Sequence, residues 1–462
     1  MKNMLVILFI VLLTIACTQT EQVTSPRIGI YSANPFYFTL DGEPVLLLGG
    51  TDEDNLFNDP DAMMDNFNVY EEIVGNYIRC TMSSRDSGNV WPFGKNEENL
   101  YDLDELNPEY WNRFETCLIE AAERDIVVQV EMWATFDFYR DNWLVNPFNP
   151  KNNVNYTAEN TSLPTEWPHH PAREPQPFFY SVPLQNNDTK VLEYQRAFVD
   201  ALLNISLKYD NVLYCIDNET RAPAEWAWYW GEYINMTAEK AGKTVYVTEM
   251  WDPWDLHNEE HARTYAHPDI FNFVEMSQNN WQEGQQHYQN ALWLRNQIKE
   301  RGGARPMTNV KVYHRRGGGK PNAPWIGRDR WWQNIWAGCA GTRFHRPTGG
   351  PGLNEKSQQT LKAARVFTDE FDIFATEPRP DMLFECQKNE AYCLAQDDSI
   401  HAIYFPRGGN IRLRVDDQEA QRTVRWFDIE TADFLPEKTM SGRHLSLTSP
   451  DTSKTWLVLV EK

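Results

Sequence analysis

Eight short apolar runs, separated by longer amphipathic segments, are the feature that most limits how this chain can fold. Such alternation favours parallel β-strands that are each followed by a covering helix. Two of the intervening segments, 108–124 and 192–209, repeat apolar residues on one helical face. Eight strand and helix units predict an α/β fold, a closed (β/α)₈ or TIM barrel. The predicted strands are 45–49, 77–82, 126–132, 212–216, 244–248, 271–276, 310–313 and 338–344.

The pattern changes after about residue 375, where short β-rich runs are separated by turns. This pattern is typical of a small antiparallel β-sandwich domain. We therefore predict a barrel over 27–375 and a β-sandwich domain over 376–462. The second domain either packs against the barrel or binds part of a ligand. Its predicted strands are 391–395, 400–405, 411–415, 423–428 and 455–460.

The N-terminal segment 1–17 has the order of an export signal: a lysine, an apolar run, and small residues before a cysteine. Residues 13–17 resemble a bacterial lipobox, which implies cleavage before Cys17 and lipid attachment to its thiol. The alternative is an ordinary signal peptide that is cut near Ala16. Both alternatives predict an exported protein, with 18–26 as a tether and, in the first case, a lipid anchor as its contact with the membrane.

Charge and cysteine content exclude several classes of protein. The net charge of −23 argues against binding to nucleic acid or to an anionic membrane surface. No later stretch has the roughly 18 uninterrupted apolar residues that a membrane helix needs. The seven cysteines form no tight metal-ligand motif, and we expect neither a metal nor a cofactor. Cys386 and Cys393 flank a hairpin-like segment and could form a disulfide in an oxidising compartment.

Polar residues gather where the fourth predicted strand ends, in Asp217, Asn218 and Glu219. The carboxyl ends of barrel strands carry the active site in this architecture. If the strand stays regular, Asp217 and Glu219 share one face. A nearby carboxylate and partial burial would then raise the pKa of one of them, as a general acid requires. The alternative is a helix cap followed by a first-turn charge.

Three further glutamates lie at comparable strand ends: Glu131, Glu249 and Glu275 on the third, fifth and sixth strands. Glycoside hydrolysis needs two carboxyl groups across the bond that is cleaved. We therefore expect Glu219 to be the acid, and Glu249 or Glu275 to complete the pair. Each of these side chains could instead be a structural acid that pairs with a cation.

The chain has 18 tryptophans, and several fall just beyond predicted strands. A flat aromatic ring presents a large apolar surface, on which the C–H face of a sugar can stack. Trp133 and Trp251 are the predicted stacking residues. Trp143, Trp254 and Trp281 occupy similar positions. The long segment 136–190 after the third strand is either a wall of the substrate cleft or a structural insertion.

These residues carry a resemblance to a known group of enzymes. The segments 38–50, 337–341 and 404–409, together with the Asn218 and Glu219 pair, resemble clan A glycoside hydrolases, particularly the apiosidase-like and cellulase-like proteins of bacterial polysaccharide loci. The resemblance covers the barrel and the small domain. It implies that Asn218 binds sugar and that Glu219 is the acid/base.

The seventh strand departs from that clan, which places its nucleophilic glutamate at this strand end. Here the strand carries Lys311. Basic residues also follow strands seven and eight, and such a cluster favours uronate or sulfate groups on a sugar. The alternative is that these cations pair with carboxylates of the cleft. The basic residues are Lys311, His314, Arg315, Arg316, Lys320, Arg343, His345 and Arg346, of which Lys311, His314, Arg343 and His345 are predicted to bind substrate.

Two classes of function follow from the sequence. The first is an exported glycosidase that acts on a complex polysaccharide, either neutral or anionic, or on its oligosaccharides. The second is a catalytically silent carbohydrate-binding surface lipoprotein, which the lysine on strand seven favours. A metal-dependent hydrolase is disfavoured because His257, His261 and His267 do not fall at strand ends as a ligand set. The sequence predicts no particular oligomeric state.

Overall fold

The computed structural model describes residues 27–314 and 323–462. In this part of the chain, eight parallel strands form two four-stranded sheets in which neighbours pair in chain order. One sheet holds strands two to five, and the other holds strands six, seven, eight and one. The prediction of a (β/α)₈ barrel is confirmed, with shifted strand ends. The barrel strands are Leu47–Gly50, Tyr77–Thr81, Val127–Trp133, Val212–Asp217, Tyr246–Thr248, Val274–Glu275, Met307–Val312 and Gly341–Phe344.

Backbone hydrogen bonds join the two sheets at both seams. The Asn76 amide donates to the Leu48 carbonyl at 2.9 Å, and the Asn272 amide donates to the Val247 carbonyl at 3.1 Å. Strands one and two lie so close together that a Cβ atom at Gly49 would be only 1.8 Å from the Tyr77 carbonyl oxygen. Only glycine permits this approach.

The sixth strand is much shorter than predicted, since only Val274–Glu275 of 271–276 is in the ladder. The Asn272 side chain accepts a hydrogen bond from the Val247 amide at 2.6 Å and donates one to the Val245 carbonyl at 3.0 Å. A side chain therefore replaces backbone pairing at the start of this strand.

Amphipathic helices cover the outside of the barrel. Helix Pro108–Glu123 begins with a proline in its first turn, and the Asn107 side chain caps it by accepting from the Glu109 amide at 3.1 Å. No helix in 27–314 or 323–462 is long and apolar enough to cross a membrane. The helices are Pro60–Ile73, Pro108–Glu123, Arg140–Val145, Thr189–Ser206, Ala224–Lys240, Ala262–Tyr265, Gln285–Gly302, Pro324–Trp336 and Glu355–Thr368.

Two small antiparallel elements accompany the barrel. Strands Ile28–Ile30, Phe38–Leu40 and Glu43–Val45 form a sheet near the amino ends of the barrel strands, where the Phe38 ring packs against Tyr246. Strands Phe93–Lys95 and Tyr101–Leu106 pair in the segment after the second barrel strand.

The C-terminal strands form two antiparallel sheets with their own apolar core. They contact the barrel helices, because the Trp336 indole donates to the Ala402 carbonyl at 3.0 Å and the rings of Trp332 and Tyr404 stack. One sheet holds Glu377–Pro378, Tyr392–Gln396, Ile400–Phe405, Arg422–Asp428, Asp433–Phe434, Lys438–Met440 and Trp456–Glu461; the other holds Leu383–Phe384, Asn410–Arg414 and His444–Thr448.

The predicted disulfide between Cys386 and Cys393 is not formed, and both thiols are free. Cys393 belongs to the strand Tyr392–Gln396 and is buried in the C-terminal apolar core. The half-buried Cys386 instead places its sulfur 3.9 Å from the Ala391 carbonyl oxygen.

Candidate functional site

Glu219 lies at the carboxyl end of the fourth barrel strand, with 16% of its side chain exposed. The strand ends at Asp217, and Glu219 has a left-handed backbone with φ of 61°. Non-glycine residues in this conformation are strained, and such strain concentrates at functional sites. The left-handed turn also interrupts the alternation of side chains. The prediction that Asp217 and Glu219 share one face is therefore wrong.

Lys311 of the seventh strand forms an ion pair with Glu219, with 2.7 Å between Nζ and Oε1. The same ammonium group donates a hydrogen bond to the Asn218 side-chain oxygen. Burial tends to raise the pKa of Glu219, but the charge and hydrogen bond of Lys311 outweigh burial and lower it. Of the two strand-end carboxyl groups, Glu219 is therefore the one held as a carboxylate, and the predicted raised pKa falls on Asp217.

Asp217 and Glu249 form a buried carboxyl pair behind the mouth of the barrel. Asp217 accepts from the Trp226 indole at 2.9 Å, and Glu249 accepts from the backbone amides of Asp217 and Met250 at 3.0 and 2.7 Å. Burial raises the pKa of Asp217 to about 7 and the pKa of Glu249 well above its usual range. Neither side chain reaches the surface, so the structure adds no support to the roles of Asp217 in substrate binding and Glu249 in catalysis, which stay predictions.

Asp217→Asn is expected to reduce the pH dependence of folding stability. A carboxyl whose pKa is raised on folding stabilises the protein below its unfolded pKa, and this contribution is lost as pH rises through about 7. We expect the wild-type protein to lose on the order of 3 kcal/mol between pH 4 and 8 from this group. Thermal unfolding across this range measures the loss, with the exposed Asp65→Asn as control. An unchanged profile in Asp217→Asn would contradict the assignment.

Glu275 is also held inside the barrel wall. Its carboxylate accepts from the Ser277 amide at 2.7 Å, from the Ser277 hydroxyl, and from the Thr308 hydroxyl at 2.9 Å. Burial raises the pKa of Glu275 to about 7. These partners occupy the carboxyl group, which is buried, and the role of Glu275 as the second carboxylate stays a prediction.

Asp252 is the second carboxyl group at the mouth, and sequence reasoning missed it. Its amide donates to the Thr220 carbonyl at 2.8 Å, which places Asp252 beside the residue that follows Glu219. The Arg221 side chain lies 3.0 Å away, and 17% of the Asp252 side chain is exposed. Burial and the charge of Glu219 raise the pKa of Asp252 despite Arg221. The mouth therefore holds two neighbouring carboxyl groups with opposite pKa shifts.

The predicted stacking tryptophans are both buried. Trp133 packs inside an aromatic cluster that includes Phe178 and Phe198. The Trp251 indole donates to the Thr264 hydroxyl at 2.8 Å, and its ring is covered by the Arg263 guanidinium. Neither ring presents an open face to a ligand in this structure, so the stacking roles of Trp133 and Trp251 stay predictions that the structure does not support.

Two other tryptophans beyond the strand ends are open instead. Trp254 follows the fifth strand and is 56% exposed, and Trp281 follows the sixth strand and is 43% exposed. Trp281 ends the short helix Ser277–Trp281, which also carries Gln278, a hydrogen-bonding partner of Glu219. Both indoles thus stand on loops of the face that carries Glu219, whereas Trp143 is buried.

The basic residues of the eighth strand pair within the protein. Arg343 donates to the Val310 carbonyl at 2.8 Å and to the Thr51 hydroxyl, and it has no exposed surface. His345 is buried with its Nδ1 3.2 Å from Arg79. Internal partners occupy both side chains, so the substrate-binding roles of Arg343 and His345 stay predictions that the structure does not support.

A network of ion pairs underlies the mouth. Arg79 contacts Glu131 at 2.8 Å and Asp54 at 3.4 Å, and Asp54 also binds Arg85 and Arg346 at 3.1 and 2.9 Å. These cations hold the pKa of Asp54 well below its usual range, although burial opposes them. Of the predicted basic residues, Arg346 and His345 belong to this network through Asp54.

The remaining predicted residues are placed as follows. The His314 amide donates to the Gly349 carbonyl at 3.2 Å, and its partly buried side chain lies against Gly327. Arg315, Arg316 and Lys320, like Cys17, lie outside the described residues. Within 27–314 and 323–462, no group of three or more histidine, cysteine or acidic side chains is arranged to hold a metal ion.

No protein-family model matches the chain, and no curated protein matches its sequence. Solved structures share its fold across nearly its whole length. A glycoside hydrolase family 5 protein from Bacteroides vulgatus has a TM-score of 0.63 at 10% identity, with 94% of each chain covered. A protein described as a glycoside hydrolase has a TM-score of 0.64 at 9% identity, covering 94% of this chain and 97% of that one. A putative glycoside hydrolase from Bacteroides vulgatus has a TM-score of 0.58 at 11% identity, covering 95% and 82%. The chain therefore shares the (β/α)₈ barrel fold of these solved structures.

Proposed function

We propose that this protein is a glycoside hydrolase that acts on a complex polysaccharide or its oligosaccharides. The observation that carries the proposal is the pair of neighbouring carboxyl groups, Glu219 and Asp252, at the mouth of the barrel. Glycoside hydrolysis requires one carboxyl group that holds a proton and one that is ionised. Two carboxyls whose surroundings shift their pKa values apart fit these two tasks.

The proposed roles reverse the sequence prediction for Glu219. Glu219, kept ionised by Lys311, acts as the nucleophile or as the base that activates water. Asp252 donates its proton to the oxygen of the leaving sugar. Lys311 stands where clan A enzymes carry their nucleophile, so Glu219 takes over the ionised role. We assign sugar binding to Asn218, which accepts a hydrogen bond from the same ammonium group.

Trp254 and Trp281 are the proposed sugar-stacking residues. Each exposes a large part of its ring on the face that carries Glu219. Trp254→Ala and Trp281→Ala are each expected to weaken oligosaccharide affinity by about 1–2 kcal/mol, as the loss of an aromatic anchor does. Calorimetric titration measures the change, and Phe384→Ala, an exposed aromatic of the C-terminal sheets, is the control. Unchanged affinity in both tryptophan variants would contradict this assignment.

The first test of the proposal is product release by the wild-type protein from a panel of neutral, uronate-containing and sulfated oligosaccharides. Release of reducing sugar supports the hydrolase. The rival proposal is a silent carbohydrate-binding protein, which the ion pair between Lys311 and Glu219 favours because it occupies the reactive carboxylate. Binding of panel members without any product would support this rival.

We also propose that the protein is exported and anchored by a lipid on Cys17, as the lipobox-like segment 13–17 suggests. For residues 376–462 we propose a separate role, as a β-sandwich domain that packs against the barrel and stabilises it. In cells fed labelled palmitate, the wild-type protein should incorporate label, and Cys17→Ala should not. Equal labelling of both would contradict the anchor.

A further inference from the structure

We propose that Arg140, His170 and Arg173 form a binding site for an anionic substituent, a carboxylate or a sulfate, on the sugar bound beside Glu219. The inference rests on the proposed function, because it assigns the class of ligand to the same mouth. It replaces the basic cluster predicted from strands seven and eight, whose Arg343 and His345 are occupied within the protein.

The three residues belong to the long segment after the third strand, which has a defined structure. Asparagine side chains tie its turns together: Asn149 donates to the Trp143 carbonyl at 2.9 Å, and Asn153 donates to the Pro147 carbonyl at 3.0 Å. The segment is therefore an ordered wall beside the mouth. Such order lowers the entropic cost of holding a ligand.

Backbone hydrogen bonds bring the cluster together. The Arg140 amide donates to the Trp167 carbonyl at 2.8 Å, and the Arg173 amide donates to the His170 carbonyl at 2.9 Å. The His170 Nδ1 accepts from the Ala172 amide at 3.0 Å, so a neutral ring carries its proton on Nε2. His170 thus keeps one N–H donor beside the two guanidinium groups.

The two arginines have no carboxylate partner in the described ranges. No acidic oxygen of the described residues lies within 4.0 Å of the Arg140 or Arg173 guanidinium, although the chain holds 66 acidic residues. Arg79, Arg85 and Arg346 at the mouth are all paired. Both Arg140 and Arg173 are exposed. Two exposed guanidinium groups on one ordered segment, both without a carboxylate partner in the described residues, suit the oxygens of a carboxylate or sulfate, which arginine binds through two parallel hydrogen bonds.

The cluster lies within electrostatic range of the proposed reaction centre. Burial, Arg140 and Arg173 lower the pKa of His170, while the charge of Glu219 opposes them. The His170 ring also packs edge-on against Phe136, three residues after Trp133, where the third strand ends. The cluster therefore lies on the face of the barrel that carries Glu219, and the proposed anion is a substituent of a sugar bound on that face.

The test is the affinity for oligosaccharides prepared as neutral, uronate and sulfated forms of the same backbone. For at least one backbone, we expect a charged form to bind the wild-type protein about tenfold more tightly than the neutral form. Arg140→Gln and Arg173→Gln should each remove most of this difference and leave the neutral affinity unchanged. Arg443→Gln, an exposed arginine of the C-terminal region, is the matched control. The uronate and sulfate arms identify the anion.

Equal affinity for charged and neutral forms, absence of binding by every charged form, or a charge preference that survives in the double variant would overturn the inference. These results are distinguishable from failure of the proposed function. Arginine-dependent binding without product release would support the anion site and contradict the hydrolase. Hydrolysis of neutral forms without charge preference would do the reverse.

Discussion

Glu219→Gln is expected to lower kcat/KM for glycoside hydrolysis at least about a thousandfold, since it removes the ionised carboxyl group from the mouth of the barrel. Glutamine has nearly the same shape and can still accept a hydrogen bond from Lys311, so the fold should be retained. The comparison requires steady-state rates on a substrate from the oligosaccharide panel, together with thermal unfolding to show that the variant is folded.

Glu232→Gln is the matched control for this experiment. Glu232 is an exposed glutamate on helix Ala224–Lys240, which follows the same barrel strand. It should keep wild-type activity. If Glu219→Gln retained activity within a few fold of the wild type, Glu219 would have no direct part in the reaction.

Lys311→Met is expected to move the acidic limb of the pH–rate profile to higher pH. Burial raises the pKa of Glu219 and Lys311 contributes most to lowering it, so without Lys311 only Gln278 and Arg79 oppose burial and the pKa rises. Activity that needs ionised Glu219 falls as pH drops through this pKa, so a higher pKa removes activity at a higher pH. Loss of one partner of a buried ion pair should also cost about 3 kcal/mol of stability at neutral pH.

Lys311→Arg tests whether the positive charge at position 311, rather than the shape of the lysine side chain, sets the acidic limb. It keeps the positive charge near Glu219, so its acidic limb should stay close to that of the wild type even if the longer side chain lowers the rate. Rates measured from pH 4 to 9 for both variants make the comparison. An acidic limb that does not move in Lys311→Met would mean that Glu219 does not control activity at low pH.

The barrel was predictable because its strands and helices leave a clear period in the sequence. All eight strands appear where apolar runs were found, even though the sixth is reduced to Val274–Glu275. Glu219 could also be predicted as a site residue, because polar residues at the carboxyl end of an apolar barrel strand lie on the face that carries the active site.

The roles of neighbouring residues were not predictable, because a side chain at a strand end can point either into a buried layer or towards solvent. Glu249 and Trp133 turn towards the buried layer, whereas Trp254 and Trp281, a few residues further along, are open. Side chains of a regular strand alternate between its two faces, and the sequence shows this alternation. The left-handed turn at Glu219 changes which face the following side chains occupy. Asp252 depends on pairing between two loops, at Thr220 and Trp251, which leaves no periodic signal.

The charges were misassigned for a similar reason. Their count is visible in the sequence, but their partners are not. Asp54 follows the first strand and forms ion pairs with Arg79, Arg85 and Arg346, which lie in three other segments. Such pairs are set by the closing of the barrel, whereas Arg140 and Arg173 remain without carboxylates in the part of the chain that the structure describes.

The most direct test of the central claim is how each variant depends on the leaving group. Aryl glycosides of the sugar that the panel identifies would be compared in wild type, Glu219→Gln and Asp252→Asn. A good leaving group needs no proton, so Asp252→Asn should lose activity on natural oligosaccharides and keep much of it on an activated aryl glycoside. Glu219→Gln should be inactive on both. If Asp252→Asn lost both activities equally, or if Glu219→Gln were rescued by the aryl substrate, the assignment of Asp252 as proton donor and Glu219 as ionised carboxylate would be wrong.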